Sequence, residues 1–408
     1  MFRLNNKIKA GFFAFATLAI FSSCNKNVDQ LPDITYPINA GKGLADVLAT
    51  IPADSLYNKL VVRSGLAPTI NNLGASFTLF VPDNAAMKSF VTAATGGAIP
   101  ATAPDAAFVN FLNTTLPIAS VQGIVGYNIV PQKLPLANIP TSFPNIQYPT
   151  ILNPAPQLSA LLRLTTFPSK RGSINWVNNV PITAGDVAAG NGLIHTTAAV
   201  VAPPSRYLWD TINNGSDFTY LKAAIQRADS GVAAASTLAA ALQNIGANLT
   251  VFAPSNLAFQ QLLTAQITQA LIAQGTSPAV ASATATALAS TPAVFTNPAL
   301  WNVLTPTTVK GLVVYHILGS RAFSVNLPTA ATNVPTLLNT AIPLHPGISI
   351  QAVFAANGVS VASATVKGAA NATAATIAIN PTPAPNGTSD QLYLNGILHK
   401  INQVLLPQ

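Results

Sequence analysis

The 408-residue sequence contains no glutamate: all eleven acidic residues are aspartates, only 7% of residues are charged, and there is one cysteine, Cys24. Each shortage excludes something. An ordinary soluble domain is about 25% charged, so the surface expected here is neutral and rich in hydroxyls and amides. A single cysteine rules out a disulfide within the chain. The four histidines, at 195, 316, 345 and 399, are far apart in sequence. A zinc site needs three or four Cys, His or carboxylate ligands, and no run has the spacing of a calcium loop. No metal and no cofactor is therefore expected. The basic residues do not cluster as a nucleic-acid footprint requires. No serine lies in a nucleophile-elbow sequence, and Gly190-Asn191-Gly192 lacks the phosphate-loop pattern. Asp83, Asp105 and Asp186 are too scattered to suggest a carboxylate pair. What remains is a non-catalytic chain. Half of its residues are apolar, ample material for packed cores and the opposite of a disordered composition.

The first nine residues, MFRLNNKIK, are basic, and residues 10–21, AGFFAFATLAIF, are apolar. A membrane-spanning helix needs about 20 apolar residues, so this shorter run fits the core of a signal peptide. It ends in Phe21-Ser22-Ser23-Cys24, which resembles a bacterial lipobox of the Bacteroidota type, in which the cysteine becomes the lipidated first residue. The sole cysteine falls where lipidation needs it. Residues 1–23 are thus expected to be a signal peptide, and 24–40 a tether. The chain is expected in the bacterial cell envelope, lipid-anchored at the outer membrane. Arg3, Lys7 and Lys9 leave with the signal, lowering the formal charge from +8 to +5.

Beyond residue 40 the sequence repeats. FTLFVPDNAAMKSF at 77–90 matches LTVFAPSNLAFQQL at 249–262; GIVGYNIVPQK at 123–133 matches GLVVYHILGSR at 311–321; GNGLIHTTAAVVAPP at 190–204 matches LNGILHKINQVLLP at 394–407. Order and spacing are kept, apart from about 30 additional residues in the second copy, mostly in 264–300 and 351–390. Each FTLFVP-like segment predicts a strand stopped by proline, with Asp83 or Ser255 capping the helix that follows. Each Asn-Gly predicts a turn of positive φ leading into a strand. The residues 264–300 read as helical, and NPTPAPNGTSDQ, ending the second insertion, as a hairpin loop. Pro203-Pro204 and the repeat phase place a boundary between 41–204 and 205–408.

Together these motifs resemble the fasciclin-like (FAS1) domain family, whose pattern includes Thr-Val-Phe-Ala-Pro-Thr-Asn-x-Ala-Phe, a central Tyr-His and a terminal Asn-Gly-x-Ile-His. Thr250–Phe259, Tyr315-His316 and Asn395–Pro407 follow it closely. The first copy departs from it, with Asn128 after Tyr127 and Met87 in place of phenylalanine. The resemblance implies an α/β fold of two domains, each a wedge-shaped β-sandwich with packed helices. It also implies adhesion or ligand binding at a cell surface, with a surface protein or glycan as partner. An alternative is an accessory or structural role in carbohydrate uptake or envelope organisation.

Six motif residues are candidates for fold or contact roles. His195 and His399 sit among aliphatic neighbours and are expected to make structural hydrogen bonds. Tyr127-Asn128 and Tyr315-His316 are expected as neighbouring strand residues facing opposite sides. Trp176, Trp209 and Trp301 could serve either a core or a sugar-stacking surface, and the exposed insertions are the natural seat of specificity.

Overall fold

The computed structural model describes residues 41–384 and 386–408; Cys24 and the segment around it lie outside the described residues. In the first copy, Phe77–Pro82 (β1) is buried at every position, which is why it is almost wholly apolar and shows no alternation. It is followed by Ile129–Val130 (β2), a small ribbon of Tyr148–Pro149 (β3) and Thr165–Thr166 (β4), and the strands Pro168–Arg171 (β5), Ile174–Val177 (β6), Val180–Ala189 (β7) and Gly192–Thr197 (β8). The main sheet runs β2-β1-β8-β7-β6-β5. Its only parallel pair is β1 with β8, in a register that sets Phe80 beside His195.

The second copy builds the same centre. Leu249–Pro254 (β9) and Ile317–Leu318 (β10) precede Thr332–Val334 (β11), Ile348–Phe354 (β12), Val361–Lys367 (β13), Ala375–Ile377 (β14), Gln391–Tyr393 (β15) and Gly396–Ile401 (β16). The order is β10-β9-β16-β14-β13-β12-β11, with β15 also on β16. Here β9 and β16 are the parallel pair, and Phe252 is set beside His399.

Helices cover these sheets for reasons visible locally. The Asp83 carboxylate accepts from the Ala86 N–H at 2.7 Å and starts the helix Asn84–Ala94. Ser255 accepts from the Ala258 N–H and starts Asn256–Ala273. The first insertion is this longer helix plus Pro278–Ala289, packed through the buried Ala281, Ala285 and Ala289. No single helix among the described residues is long and apolar enough to cross a membrane.

Three sequence expectations need correction. Tyr127 and Tyr315 are the last residues of the helices Ile118–Tyr127 and Pro306–Tyr315, and Asn128 and His316 are their C-caps, not strand residues. Both ends lie inside a continuous apolar run, where periodicity does not separate helix from strand. Gly192 and Gly396 do not adopt positive φ. They are glycines because a Cβ at Gly192 would run into the Phe77 carbonyl oxygen, and one at Gly396 into Leu249 O and Leu208. Finally, the Pro/Asn/Gly loop does not close a hairpin. β14 and β15, on either side of it, both pair with β16, and the hairpin of this insertion is β12–β13.

Residues 41–408 form one compact unit. Each copy has its own apolar core. A further cluster joins Phe167 and Trp176 of the first copy to Phe323, Val325 and Ile397 of the second.

Candidate functional site

The six motif residues are all buried, each 2% exposed or less. The two strand histidines have the same surroundings. His195 accepts from the Asp186 N–H at Nδ1 (3.1 Å) and donates from Nε2 to Leu134 O (2.8 Å). His399 accepts from the Asp390 N–H at Nδ1 (3.2 Å) and donates from Nε2 to Ala322 O (2.8 Å). Asp186 and Asp390 both have positive φ, 59° and 53°, which turns their N–H groups toward the rings. A ring nitrogen that accepts from a main-chain N–H carries no proton, so both imidazoles are neutral with the proton on Nε2. Burial lowers the pKa of His195 in agreement with that state, and its hydrogen bond to Leu134 opposes the effect. Each histidine ties the central strand to the segment that follows the antiparallel edge strand.

The same duplication extends to the other motif side chains. Thr78 donates to Gln132 O and accepts from the Leu134 N–H; Thr250 donates to Ser320 O and accepts from the Ala322 N–H. Asn191 accepts from the N–H of Leu44, and Asn395 from that of Leu208, so the strand's entry residue holds the start of the first helix in each copy. The Tyr127 hydroxyl donates to Thr165 O at 2.9 Å and the Tyr315 hydroxyl to Gly347 O at 2.6 Å. Burial pushes Tyr127 up to about 12.

The copies differ at the cap. His316 donates from Nδ1 to Leu312 O and accepts at Nε2 from the Leu405 N–H, the opposite tautomer to His399. Burial drives it down to about 4. Asn128 instead donates twice from Nδ2, to Ile124 O and to Val201 O, and its Oδ1 is left buried without a partner. Histidine thus joins a carbonyl and an N–H, where asparagine joins two carbonyls. His345 stands edge-on to Tyr315 with ring centroids 5.0 Å apart, and bonds Pro407 O and the Gly347 N–H. No group of three potential metal ligands occurs among the described residues.

The motif side chains are thus committed to the fold's interior, and the unassigned chemistry lies where the two copies meet. Phe167 and Phe323 pack with centroids 5.7 Å apart. Arg171 donates to Leu327 O at 2.7 Å and stacks 4.5 Å from the centre of the Phe354 ring. Trp176, fully buried, donates from Nε1 to Val359 O. Asn145 receives the Phe323 N–H on its side chain and donates its own N–H to Arg321 O. Within the second copy, Asp390 accepts from both the N–H and the hydroxyl of Ser324, which follows Phe323 of the joining cluster.

Arg321 is the unusual member. It is 4% exposed, lies 5.0 Å from the centre of the Phe167 ring, and makes one side-chain hydrogen bond, Nη2 to Leu394 O at 2.8 Å. Its Nε is buried and unpartnered. Burial lowers its pKa to about 10, so it remains a cation at neutral pH. It borders a cavity of about 180 Å³ lined from both copies, by Gln147, Arg163 and Thr165 on one side and Ile245 and Leu394 on the other. Arg321 closes the repeated motif at 311–321, where the first copy has the exposed Lys133. The position was visible in the sequence, but its burial depends on the other copy and left no local signal. Of the tryptophans, Trp209 packs against the second core and Trp301 is half exposed under Arg227.

The family model of the Fasciclin domain matches residues 55–203. No curated protein matches the chain. Among solved structures it is similar to a FAS1 domain pair from the insect cell adhesion molecule fasciclin I, at 14% identity over 87% of this chain and 97% of that one, with a TM-score of 0.30. Residues 55–203 match the Fasciclin domain model, and the second half of the chain repeats the strand register, helix cap and histidine hydrogen bonds of that segment.

Proposed function

We propose that the chain is an adhesion or ligand-binding lipoprotein of the bacterial cell envelope, anchored through Cys24 and working without catalysis. The observation that carries this reading is the use of the motif histidines. His195, His316 and His399 each have both ring nitrogens engaged by main-chain groups. A general base must reach the proton it removes, and these rings are turned inward. The fasciclin domain at 55–203 supports the same reading, as does the resemblance of the second copy to that family. The buried junction between the copies suits a stiff double module that displays surface loops at a distance from the membrane.

The test compares cells displaying the natural chain, the Cys24→Ser variant or no chain, on surfaces coated with envelope glycans or cell-surface proteins. The chain is expected to raise attachment saturably. Cys24→Ser is expected to leave the membrane fraction, or to accumulate as precursor, and to lose the effect. Labelling of the Cys24→Ser variant by a lipid probe would sink the anchor. Turnover of a glycan or peptide by the purified chain would sink the non-catalytic reading.

A further inference from the structure

We infer that the cavity between the two copies is a binding site for a small carboxylate, with Arg321 as its counter-charge. The first ground is electrostatic. Taking a guanidinium out of water is costly unless it is paired and hydrogen-bonded. Arg321 is 4% exposed, yet it has one carbonyl acceptor and an unpartnered Nε. The ion pairs among the described residues are Lys88 with Asp105 and Lys400 with Asp217; neither involves Arg321. A single hydrogen bond to a carbonyl does not require a positive charge, since a neutral amide could make it. An anion entering the cavity supplies what the protein withholds.

The second ground is the cavity itself. Arg321 lines one wall of this space, with the Phe167 ring against its guanidinium, and a second arginine, Arg163, lines the same space. Arg163 bonds the carbonyls of Ala160 and Leu162 through Nη1 alone. Two arginines lining one small cavity, in a chain with so few charges, mark it for an anion. Guanidinium is planar and matches the planar carboxylate. Gln147 and Thr165 add polar partners, and Leu164, Ile245 and Leu394 add apolar walls. About 180 Å³ is below the roughly 300–1,000 Å³ that holds a drug-sized ligand. The occupant is therefore one compact acid group, either a free sugar acid or the acid end of a longer glycan. This deepens the proposed function by naming a ligand chemistry. Binding is measured on purified protein, so a failure of cell attachment and a failure of this site are separate results.

The experiment is calorimetric titration of the purified full chain with glucuronate, glucose and a glucuronate-terminated oligosaccharide. Saturable single-site binding of glucuronate without binding of glucose is expected. Arg321→Lys keeps the charge and loses the planar fork; it should weaken binding about tenfold or more. Because Arg321 is buried, its circular dichroism and melting temperature are compared with those of the natural chain. Arg163→Gln, at an exposed position, should weaken binding severalfold with no risk to the core. Tighter binding of the oligosaccharide assigns the site to a glycan end, and tighter binding of the free acid to a small molecule. No saturable binding of either acid up to about 10 mM, a range that includes even millimolar affinity, would overturn the inference. So would equal binding of glucose, or unchanged affinity in both a folded Arg321→Lys and Arg163→Gln.

Discussion

Asp54 offers a sharp test of how burial governs this fold. It is fully buried at the start of the helix Ser55–Ser64, yet neither carboxylate oxygen has a hydrogen-bond partner. Desolvation, with a smaller contribution from nearby Asp83, raises its pKa to about 6. The second copy shows what this position accommodates: there the residue before the equivalent helix is Phe218. A carboxyl raised in the folded state stabilises fully below its unfolded pKa of 3.8, and that contribution is lost as pH rises through 6. At about 1.36 kcal/mol per pKa step the whole loss is about 3 kcal/mol. About 2 kcal/mol of it falls between roughly pH 4.5 and 7.5. Asp54→Asn keeps the shape and removes the titration. Urea unfolding of both proteins at these two pH values reads the effect as the difference between them. The stability difference, variant minus natural chain, should grow by about 2 kcal/mol toward the higher pH. A difference that stays constant with pH would refute the reasoning.

Two further substitutions test the repeated motif. Gly192→Ala should cost more than about 4 kcal/mol, an exceptional penalty, because its Cβ meets the Phe77 carbonyl oxygen within the central strand pair; a urea midpoint shift worth less than about 1 kcal/mol would contradict the close approach. Tyr315→Phe removes a donor to Gly347 O and the acceptor of the Ala369 N–H and should cost about 1–3 kcal/mol, with faster hydrogen exchange at Ala369 as the local readout; unchanged exchange there would count against it.

Much of the centre of each copy was legible because its rules are local. Pro82 and Pro254 mark the strand ends, Asp83 and Ser255 cap the helices, and the alanine-rich stretch forms helices within the first insertion. The duplicated histidines pointed to a shared role, and the structure gives them matching partners. Misplaced features depend on distant chain. Tyr127 and Tyr315 end helices because β2 and β10 must turn back onto β1 and β9, which no window around them encodes. The glycine requirement at 192 comes from a strand beginning at Phe77. Arg321 and Asp54 look ordinary in sequence, since burial without a partner is a property of the surroundings.

The parallel pairing of β9 with β16 has a consequence for synthesis. β16 follows every other strand of its sheet in sequence, yet it lies inside that sheet between β9 and β14, with β15 also pairing to it. During translation β9 and its helices emerge long before the strand that completes their backbone hydrogen bonds. Such distant pairings slow folding, because loop closure precedes the contacts that reward it. Until Gly396–Ile401 leaves the ribosome, the second copy has an open seam along β9. A chain that stops short of Gly396 would lose the middle of this sheet rather than an edge.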